Sequence, residues 1–375
     1  MSAVVDPGLE RTIAAETRLS DVQGQEGKLF LAGYPAEGIA PYATFEEMLH
    51  LLWFDRLPDR VELETFSKNL ARRRELPDAT IELMRSAASR QIQPMDALRM
   101  GLSSLDSSDR SVDEQALSVV AKTATIVATY HRLLNAQEPV PPNQEPGHVS
   151  AFLMMLEGKT PTAERVRALE TYLNTVSDHG LNASTFAGRV IIATHSDLVS
   201  AVTGAVGALK GPLHGGAPGP ALDMVFDIET ADRAEPYLRE KLDHGERLMG
   251  FGHRVYKVRD PRADILGEAT RRLYRSGEGD EDLYNLAVEV EAVALRLLDE
   301  YKPGRNLQTN AEYYTALLLH CLGFPVSLFT PTFAVGRVGG WIAHCREQLE
   351  TGRLIRPGAT YTGQDDRTWI PLDQR

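Results

Sequence analysis

The chain has 375 residues, of which 43% are hydrophobic and 25% are charged, and these proportions are those of a globular protein with length for about two domains. Its formal net charge of −12 excludes broad, non-specific attachment to nucleic acid or to an anionic membrane, because both need a positive field. A polyanionic ligand therefore has to bind a local cluster of basic residues.

The cysteines and the N-terminal segment indicate the cellular compartment. Only Cys321 and Cys345 are present, each in an apolar, helix-like stretch, so we predict two buried thiols rather than a disulfide. Acidic residues at Asp6, Glu10 and Glu16, without a long apolar run, do not form a signal peptide. No segment approaches the roughly 20 apolar residues of a membrane span. We expect a cytoplasmic protein with no membrane attachment.

The predicted elements begin with a small hairpin and continue mainly as helices. Residues 17–34 alternate weakly around two glycines, which predicts the hairpin. Thr44 and Glu47 form a capping box before an apolar run that ends by Pro58. Further helical periodicity covers residues 61–75, 112–135, 162–177, 186–209, 284–300 and 334–350. The predicted class is therefore mainly α.

Residues 196–209 are unusual for a helix because Ala, Gly, Ser and Thr dominate them. Small residues lower helix propensity but allow two backbones to approach closely. We predict that this segment packs at short range against another helix, either inside the subunit or at a subunit interface.

A histidine loop is the first candidate for chemistry. His214 lies among glycines and prolines in residues 211–220, just after a long helical pattern. Such a loop can hold an imidazole against a ligand. The alternative is a solvent-facing histidine in a turn that needs its glycines for positive φ.

A cationic segment, residues 250–263, is the second candidate. His253 is followed there by four basic residues: Arg254, Lys257, Arg259 and Arg262. Charge runs are often solvated surface, but a histidine among four cations in an acidic protein favours a ligand that bears carboxylates or phosphates.

A carboxylate is the third candidate. Glu312 lies at the start of an apolar helical run, next to Tyr313 and Tyr314. In apolar surroundings its pKa can rise and it can act as a base. The alternative is an ordinary acidic residue that the helix dipole favours in the first turn.

Together these residue types match proton abstraction next to a carbonyl, which needs a base, a donor to the enolate oxygen and a donor to the electrophile. Two histidines and a carboxylate also occur in iron sites, but no close ligand spacing such as H-x-D supports one here. We expect no metal.

Five blocks, in order and spacing, resemble the citrate synthase family over nearly the whole chain. They are DHGLNASTFAGRV at 178–190, ALKGPLHGGA at 208–217, MGFGHRVYKVRDPRA at 249–263, LFTPTFAVGRVGGWIAHCREQ at 328–348 and RLIRPGATYTG at 353–363. The resemblance implies an all-α fold with a large domain of residues 1–214 and 319–375. An inserted small domain, residues 215–318, would carry the acyl-CoA side and the catalytic base.

The resemblance also assigns the catalytic roles. His214 would hydrogen-bond the thioester carbonyl and its enol, His253 would polarise the ketone of oxaloacetate, and Glu312 would remove the methyl proton. The acyl-CoA is a substrate, and no cofactor is implied.

Binding roles follow in the same way. The implied oxaloacetate ligands are His179, Arg262, Arg337 and, from the partner subunit, Arg356. The implied contacts to CoA phosphates are Lys257 and Arg254. Because the chain resembles members that lack the N-terminal domain of the hexameric type, we expect a homodimer with shared active sites and residues 196–209 in its interface.

One residue departs from the family pattern. The usual base is the aspartate of Asn-x-Asp, whereas this chain has Asn310-Ala311-Glu312. The intrinsic pKa values of the two acids differ by only about 0.4 units, so geometry matters more than basicity. A displacement near 1 Å can cost about a hundredfold in rate. Either the backbone sets Glu312 back, or the enzyme is slow or takes another acyl donor.

Three functions therefore remain open. The first is citrate synthase. The second is 2-methylcitrate synthase using propionyl-CoA, because a hydrophobic pocket distinguishes one methylene by only about 1–3 kcal/mol. The third is a catalytically weak paralogue that binds CoA or a dicarboxylate.

Overall fold

The computed structural model describes residues 5–9, 11–106, 111–214 and 219–375. Within these ranges, three short antiparallel strands come first: β1 (Ser20–Gln23), β2 (Lys28–Leu31) and β3 (Tyr34–Pro35). The next helices are α1 (Ala36–Ile39), α2 (Phe45–Phe54), α3 (Arg60–Ala71), α4 (Asp78–Ser89), α5 (Pro94–Ser103), α6 (Val112–Leu134), α7 (His148–Glu157) and α8 (Ala163–Thr175). The remaining helices are α9 (Ala183–Ile192), α10 (Leu198–Leu209), α11 (Gly219–Ile228), α12 (Ala231–Asp243), α13 (Pro261–Arg275), α14 (Glu281–Tyr301), α15 (Ala311–Cys321) and α16 (Phe329–Thr351). The predicted hairpin and the all-α class are confirmed.

Local sequence signals explain where several helices begin. The capping box of α2 is present, with Thr44 Oγ1 accepting the Glu47 N–H at 3.2 Å and the Glu47 carboxylate accepting the Thr44 N–H at 2.7 Å. The single helical pattern predicted for residues 186–209 is wrong, because α9 and α10 are separate. His195 between them has a left-handed φ of 61°, and Asp197 caps α10.

The small residues of α10 allow the close packing that was predicted. A Cβ at Gly204 would overlap the side chain of Ile191, so α9 and α10 approach at short range. This packing lies within the subunit. The two cysteines are free thiols, as predicted, but only Cys345 is buried, whereas Cys321 is half-buried.

Helix α16 is almost entirely buried and packs on α6, α9, α2 and α8. Gly340 makes the approach to the end of α8 possible, since a Cβ there would overlap the Ser177 carbonyl and lie 3.1 Å from Asp178 Oδ1. The approach brings Arg337 of α16 beside the turn that carries His179.

Helices α11 to α15 pack on one another, and α13 also packs on α8 and α1. The predicted boundary between residues 318 and 319 lies inside α15, and the one at 214 and 215 adjoins residues outside the described ranges. The division into two domains stays a prediction. Among the described helices, no single one is long and apolar enough to cross a membrane, although the bent pair of Ala311–Cys321 and Val326–Thr351 passes by length and composition.

Candidate active site

A cavity of about 320 Å³ lies where α8, α10, α13, α15 and α16 meet the loop before α13. Seven of the nine predicted site residues line it: His179, His214, His253, Arg254, Arg262, Glu312 and Arg337. Lys257 and Arg356 do not. The fold thus brings together residues that are up to 158 positions apart in the chain.

The ring of His253 has a defined tautomer. Its Nδ1 accepts the backbone N–H groups of Val255 at 3.1 Å and Tyr256 at 3.0 Å. Burial, together with Arg262, lowers the pKa of His253 to about 4, so the ring is neutral near pH 7. Because Nδ1 is an acceptor, the single ring proton lies on Nε2, which becomes a hydrogen-bond donor.

The ring of His214 is hydrogen-bonded to a residue of α9. Its Nε2 lies 2.7 Å from Ser184 Oγ, which also accepts the Trp341 Nε1–H at 3.0 Å. Burial, together with Arg337, lowers the pKa of His214, so this ring is neutral as well. The cavity therefore contains an oriented, uncharged imidazole on this side.

His179 lies in the turn between α8 and α9. Its Nε2 is 3.2 Å from the Tyr256 hydroxyl, and its ring centroid is 6.0 Å from that of His253. Burial, with Arg262 and Arg337 nearby, holds the pKa of His179 well below its usual value. The cavity thus has a third neutral imidazole.

Arg337 is a buried cation with only 2% of its surface exposed. Its Nε donates to the Val176 carbonyl at 2.5 Å, and its guanidinium lies 4.6 Å from the centroid of the Phe333 ring. Burial lowers the pKa of Arg337 to about 10, so the group stays charged at neutral pH. Among the residues that the structure describes, no carboxylate lies within ion-pair distance of it, although the buried Asp178 carboxylate attracts it at longer range. A buried, unpaired cation is costly unless an anionic ligand completes the site.

Arg262, in contrast, has a fixed carboxylate partner. Its Nε and one terminal nitrogen donate to Asp260 at 3.0 and 2.8 Å, and Asp260 also accepts the Ala311 N–H at 3.2 Å. Asp260 therefore joins the start of α13 to the start of α15. This holds Arg262 near Glu312 at the wall of the cavity.

Glu312 occupies the first turn of α15, where Asn310 caps the helix by accepting the Glu312 N–H at 3.0 Å. Asn310 also donates to the Gly252 carbonyl at 2.8 Å, which ties this turn to the His253 loop. Burial raises the pKa of Glu312, while Arg262 opposes the shift. A carboxylate with a raised pKa beside three neutral imidazoles is suited to proton transfer.

The structure divides the predicted cation cluster. Arg259 faces away from the cavity and pairs with Glu291 and Asp264, both at 2.6 Å. Lys257 is exposed on the surface, where its Nζ donates to the Arg254 carbonyl at 2.9 Å. Arg259 therefore has a structural role, whereas Lys257 is accessible to a ligand.

Arg356 lies outside the cavity of its own subunit. It belongs to residues 352–375, which follow α16 and contain no α-helix. Nearly all of these residues are exposed. Its predicted role in the site of a partner subunit stays a prediction.

Sequence reasoning missed several residues that the structure places at the site. They are Tyr172, Asn182, Ser184, Tyr256 and Phe333. Ser184 and Asn182 lie inside the block at 178–190, but nothing local indicates that the Ser184 hydroxyl meets His214. Within the described ranges, no group of three or more His, Cys, Asp or Glu side chains is arranged to hold a metal ion, so the iron-site alternative has no ligand cluster there.

Comparison with known sequences identifies relatives over the full length. Residues 8–358 match the family described as citrate synthase, C-terminal domain. The citrate synthase of Haloferax volcanii is 40% identical, and the alignment covers 100% of each chain. A citrate/2-methylcitrate synthase of Bacillus subtilis is 37% identical over 95% of this chain and 96% of the relative.

Solved structures have the same fold. Citrate synthase from Pyrobaculum aerophilum superposes with a TM-score of 0.90 at 36% identity, covering 99% of this chain and 95% of the other. A ternary complex of the Thermoplasma acidophilum enzyme with carboxymethyl coenzyme A and oxaloacetate gives a TM-score of 0.85 at 30% identity, covering 99% and 100%. The chain therefore belongs to the citrate synthase family of acyltransferases.

Proposed function

We propose that the chain condenses acetyl-CoA with oxaloacetate and hydrolyses the resulting thioester to citrate and CoA. The observation that carries the proposal is Arg337, a buried cation without an ion-pair partner among the described residues, which faces the same cavity as Glu312. A dicarboxylate supplies a direct ion-pair partner for this guanidinium. The related Thermoplasma structure, which contains oxaloacetate and a CoA derivative, supports these two ligand classes.

On this proposal, Glu312 removes a proton from the methyl carbon of acetyl-CoA, and His214 donates a hydrogen bond to the enolate oxygen that forms. A neutral His214 has one ring proton. It can donate a hydrogen bond through Nδ1 only if that proton lies on Nδ1, and Nε2 then has to accept a hydrogen bond. Ser184 has one hydroxyl hydrogen, and Asn182 Oδ1 at 2.8 Å competes for it. The catalytic arrangement therefore requires the Ser184 O–H to point at His214.

His253 donates a hydrogen bond from Nε2 to the ketone oxygen of oxaloacetate while the enolate carbon attacks the ketone carbon and forms the new C–C bond. The π electrons of the ketone move to its oxygen, which becomes a hydroxyl by taking up one proton, equal to the one that Glu312 removed. Water then attacks the citryl thioester, and CoA leaves as the thiol. The reaction needs no metal and no cofactor, because the thioester itself activates the acyl group.

The proposed binding residues form two groups, one for each ligand. Arg262, Arg337 and His179 surround the position proposed for the oxaloacetate carboxylates, and Arg356 of a partner subunit completes the set. Arg254 lines the cavity, Lys257 is exposed and donates to the Arg254 carbonyl, and both are proposed to meet the CoA phosphates.

A homodimer with shared sites follows from the C-terminal segment, residues 352–375. Large apolar side chains are exposed along it, with Trp369 at 76%, Tyr361 at 70% and Leu372 at 80%. Exposed apolar groups grouped in this way are typical of a surface that another chain covers. We propose that a second subunit covers them and that this contact brings Arg356 into the neighbouring site.

Mixed dimers test the shared site. Glu312→Gln and Arg356→Ala homodimers should each be nearly inactive. In a mixed dimer, one cavity carries both defects and the other carries neither. Refolding equal amounts of the two variants together should therefore restore about a quarter of wild-type activity. No recovery in verified mixed dimers means that Arg356 serves its own subunit.

Acyl-donor kinetics test the reaction. Thiol release from acetyl-CoA should require oxaloacetate, and Glu312→Gln should lower kcat by more than a hundredfold, roughly the value of a general base, while oxaloacetate affinity stays within about twofold. A loss below about tenfold contradicts the role of Glu312. A higher kcat/KM with propionyl-CoA would instead identify 2-methylcitrate synthase, the alternative that the Bacillus relative's name favours.

The free thiols of Cys321 and Cys345 also bear on location. Unpaired cysteines suit a reducing compartment. Together with the bacterial and archaeal relatives, they support a cytoplasmic protein.

A further inference from the structure

A second cavity, of about 1050 Å³, lies on the other side of the contact between α8 and α13. Side chains from both helices line it, including Val166, Thr171, Ile265 and Leu273, and so do residues of α1 and of the segment that follows it, up to Tyr42. Its volume is about three times that of the active-site cavity. A cavity of this size accommodates a small organic molecule.

The two cavities are separated by neighbouring residues of the same helices. On α8, Thr171 lines the second cavity and Tyr172 lines the active site. On α13, Pro261 lines the second cavity and Arg262 lines the active site. Both cavities therefore depend on how α8 and α13 lie relative to each other.

The second cavity is lined mainly by acidic residues, three of which already have arginine partners: Glu170 with Arg167, Asp264 with Arg259, and Glu268 with Arg271 and Arg272. Its lining includes five carboxyl groups and two arginines: Glu37, Glu164, Glu170, Asp264, Glu268, Arg167 and Arg272. The Arg167 guanidinium already donates to the Tyr42 and Ala43 carbonyls, at 3.1 and 2.9 Å, and lies 3.2 Å from Glu170. It therefore has little capacity left for an anionic ligand.

Two of the carboxylates are available at the mouth. Glu37 and Glu164 are exposed, and neither has a hydrogen bond or ion pair from its side chain within the described part of the chain. Tyr42, which lines the same cavity, is 66% exposed. Free carboxylates, an exposed aromatic ring and an apolar wall together recognise a cation with an apolar body.

We propose that this cavity is a second binding site, which takes a small organic cation with an aromatic body, and that its occupation strengthens oxaloacetate binding. A ligand that fits between α8 and α13 as they now lie stabilises this arrangement. The same arrangement brings His179, of the α8 turn, within 3.2 Å of Tyr256, which precedes α13. The coupling rests on the proposed function, whereas the binding does not.

Calorimetric titration with three molecules of similar shape tests the binding: 2-phenylethylammonium, 2-phenylethanol and 3-phenylpropionate. We expect saturable binding of the cation, at least about tenfold tighter than that of the alcohol or the carboxylate, since charged hydrogen bonds are the stronger ones. Equal affinity for all three, or no saturable binding of the cation, overturns the site.

Matched charge variants locate the binding. Glu37→Gln with Glu164→Gln should weaken binding of the cation at least about fivefold. The control, Glu240→Gln with Glu289→Gln, removes the same charge from exposed positions outside the cavity and should leave binding unchanged. Equal weakening by both pairs assigns the attraction to net charge and overturns the site. Ala163→Trp, at an exposed lining position next to Glu164, should block part of the cavity and weaken binding of the cation while acyltransferase activity remains.

Oxaloacetate titrations test the coupling. Saturating 2-phenylethylammonium should lower the Kd of oxaloacetate by about fivefold, and oxaloacetate should lower the Kd of the cation by the same factor. Tight cation binding with an unchanged Kd for oxaloacetate overturns the coupling. Cation binding to a protein that does not bind oxaloacetate at all contradicts the proposed function and leaves the second site standing.

Discussion

The ring of His214 and the hydroxyl of Ser184 lie 2.7 Å apart, although 30 positions separate the two residues. Ser184 is fully buried, and its oxygen also receives the Trp341 indole N–H. One hydroxyl thus orients a proposed catalytic histidine and satisfies a buried donor.

Ser184→Ala should therefore lower kcat by about 10- to 100-fold, since it removes the group that sets the tautomer of His214. The KM for oxaloacetate should change little, because His214 is assigned to the acyl donor. Steady-state kinetics check this, with the exposed Ser89→Ala as control. A kcat within twofold of wild type would show that His214 is oriented by other contacts.

The acid limb of the pH profile depends on Glu312. A base acts only when it is unprotonated, so kcat should fall as the pH falls through the pKa of Glu312. Burial raises that pKa above its usual value of 4.5, so the loss should begin at a higher pH than for an exposed glutamate. The dependence of kcat on pH with saturating substrates measures it, and an apparent pKa at or below 4.5 contradicts the burial argument.

Glu312→Asp restores the acid that the family pattern has after Asn310 and Ala311. If the backbone of α15 is set for the longer side chain, the shorter carboxylate lies about 1 Å too far from the methyl carbon, and kcat should fall by about 10- to 100-fold. Unfolding curves should be unchanged, since Glu312 is only half-buried. An increase in kcat would mean that glutamate at position 312 is a poorer base for this reaction than aspartate.

Asp178 holds the turn of His179 from beneath. Its Oδ1 accepts the His344 Nε2–H at 3.0 Å, and its Oδ2 accepts the Ser20 hydroxyl at 2.5 Å and the Gly180 N–H at 3.2 Å. Burial opposes ionisation, but His344 and Arg337 hold the pKa of Asp178 below its usual value.

Asp178→Asn places an amide group against these donors and should raise the Kd of oxaloacetate by about tenfold and lower the Tm. Ser20→Ala removes a single donor and should have a smaller effect on both. Equilibrium binding and calorimetry separate the two effects. Unchanged oxaloacetate affinity in Asp178→Asn would show that the turn does not need this carboxylate.

Glu170 should make the stability depend on pH. Burial raises its pKa from 4.5 to about 7, with Arg167 opposing and Glu46 reinforcing the shift. The folded state therefore keeps a proton that the unfolded chain has lost, so stability present below pH 4.5 declines as the pH rises through 7, by up to about 3 kcal/mol.

Glu170→Gln should remove this decline, because the amide does not titrate. Thermal unfolding at pH 5 and pH 8 measures the Tm of both proteins. The Tm of the variant relative to that of the wild type should be higher at pH 8 than at pH 5. Glu164→Gln, an exposed neighbour on α8, is the control. Parallel curves for wild type and Glu170→Gln would exclude the buried carboxyl as the cause.

Local sequence determined the helical class, the capping box at Thr44 and the position of Glu312 at the start of a helix, because each of these depends on residues within a turn or two of one another. The five family blocks contain six of the seven predicted residues that line the cavity, and the seventh, Glu312, was assigned from its position between two blocks. Residue type alone does not distinguish Arg259 from Arg262, and only the resemblance assigned Arg262, but not Arg259, to oxaloacetate.

The tertiary structure supplies the physical reason for that difference, because it places Glu291 against Arg259, and Asp260 and the cavity beside Arg262. It also placed Ser184 against His214. Such pairs form between elements that are distant in the chain, and neither periodicity nor spacing carries information about which helix faces which. The cavity between α8 and α13 has the same origin. Its two walls are more than 80 residues apart in the chain, and they line one binding site only when the two helices pack together.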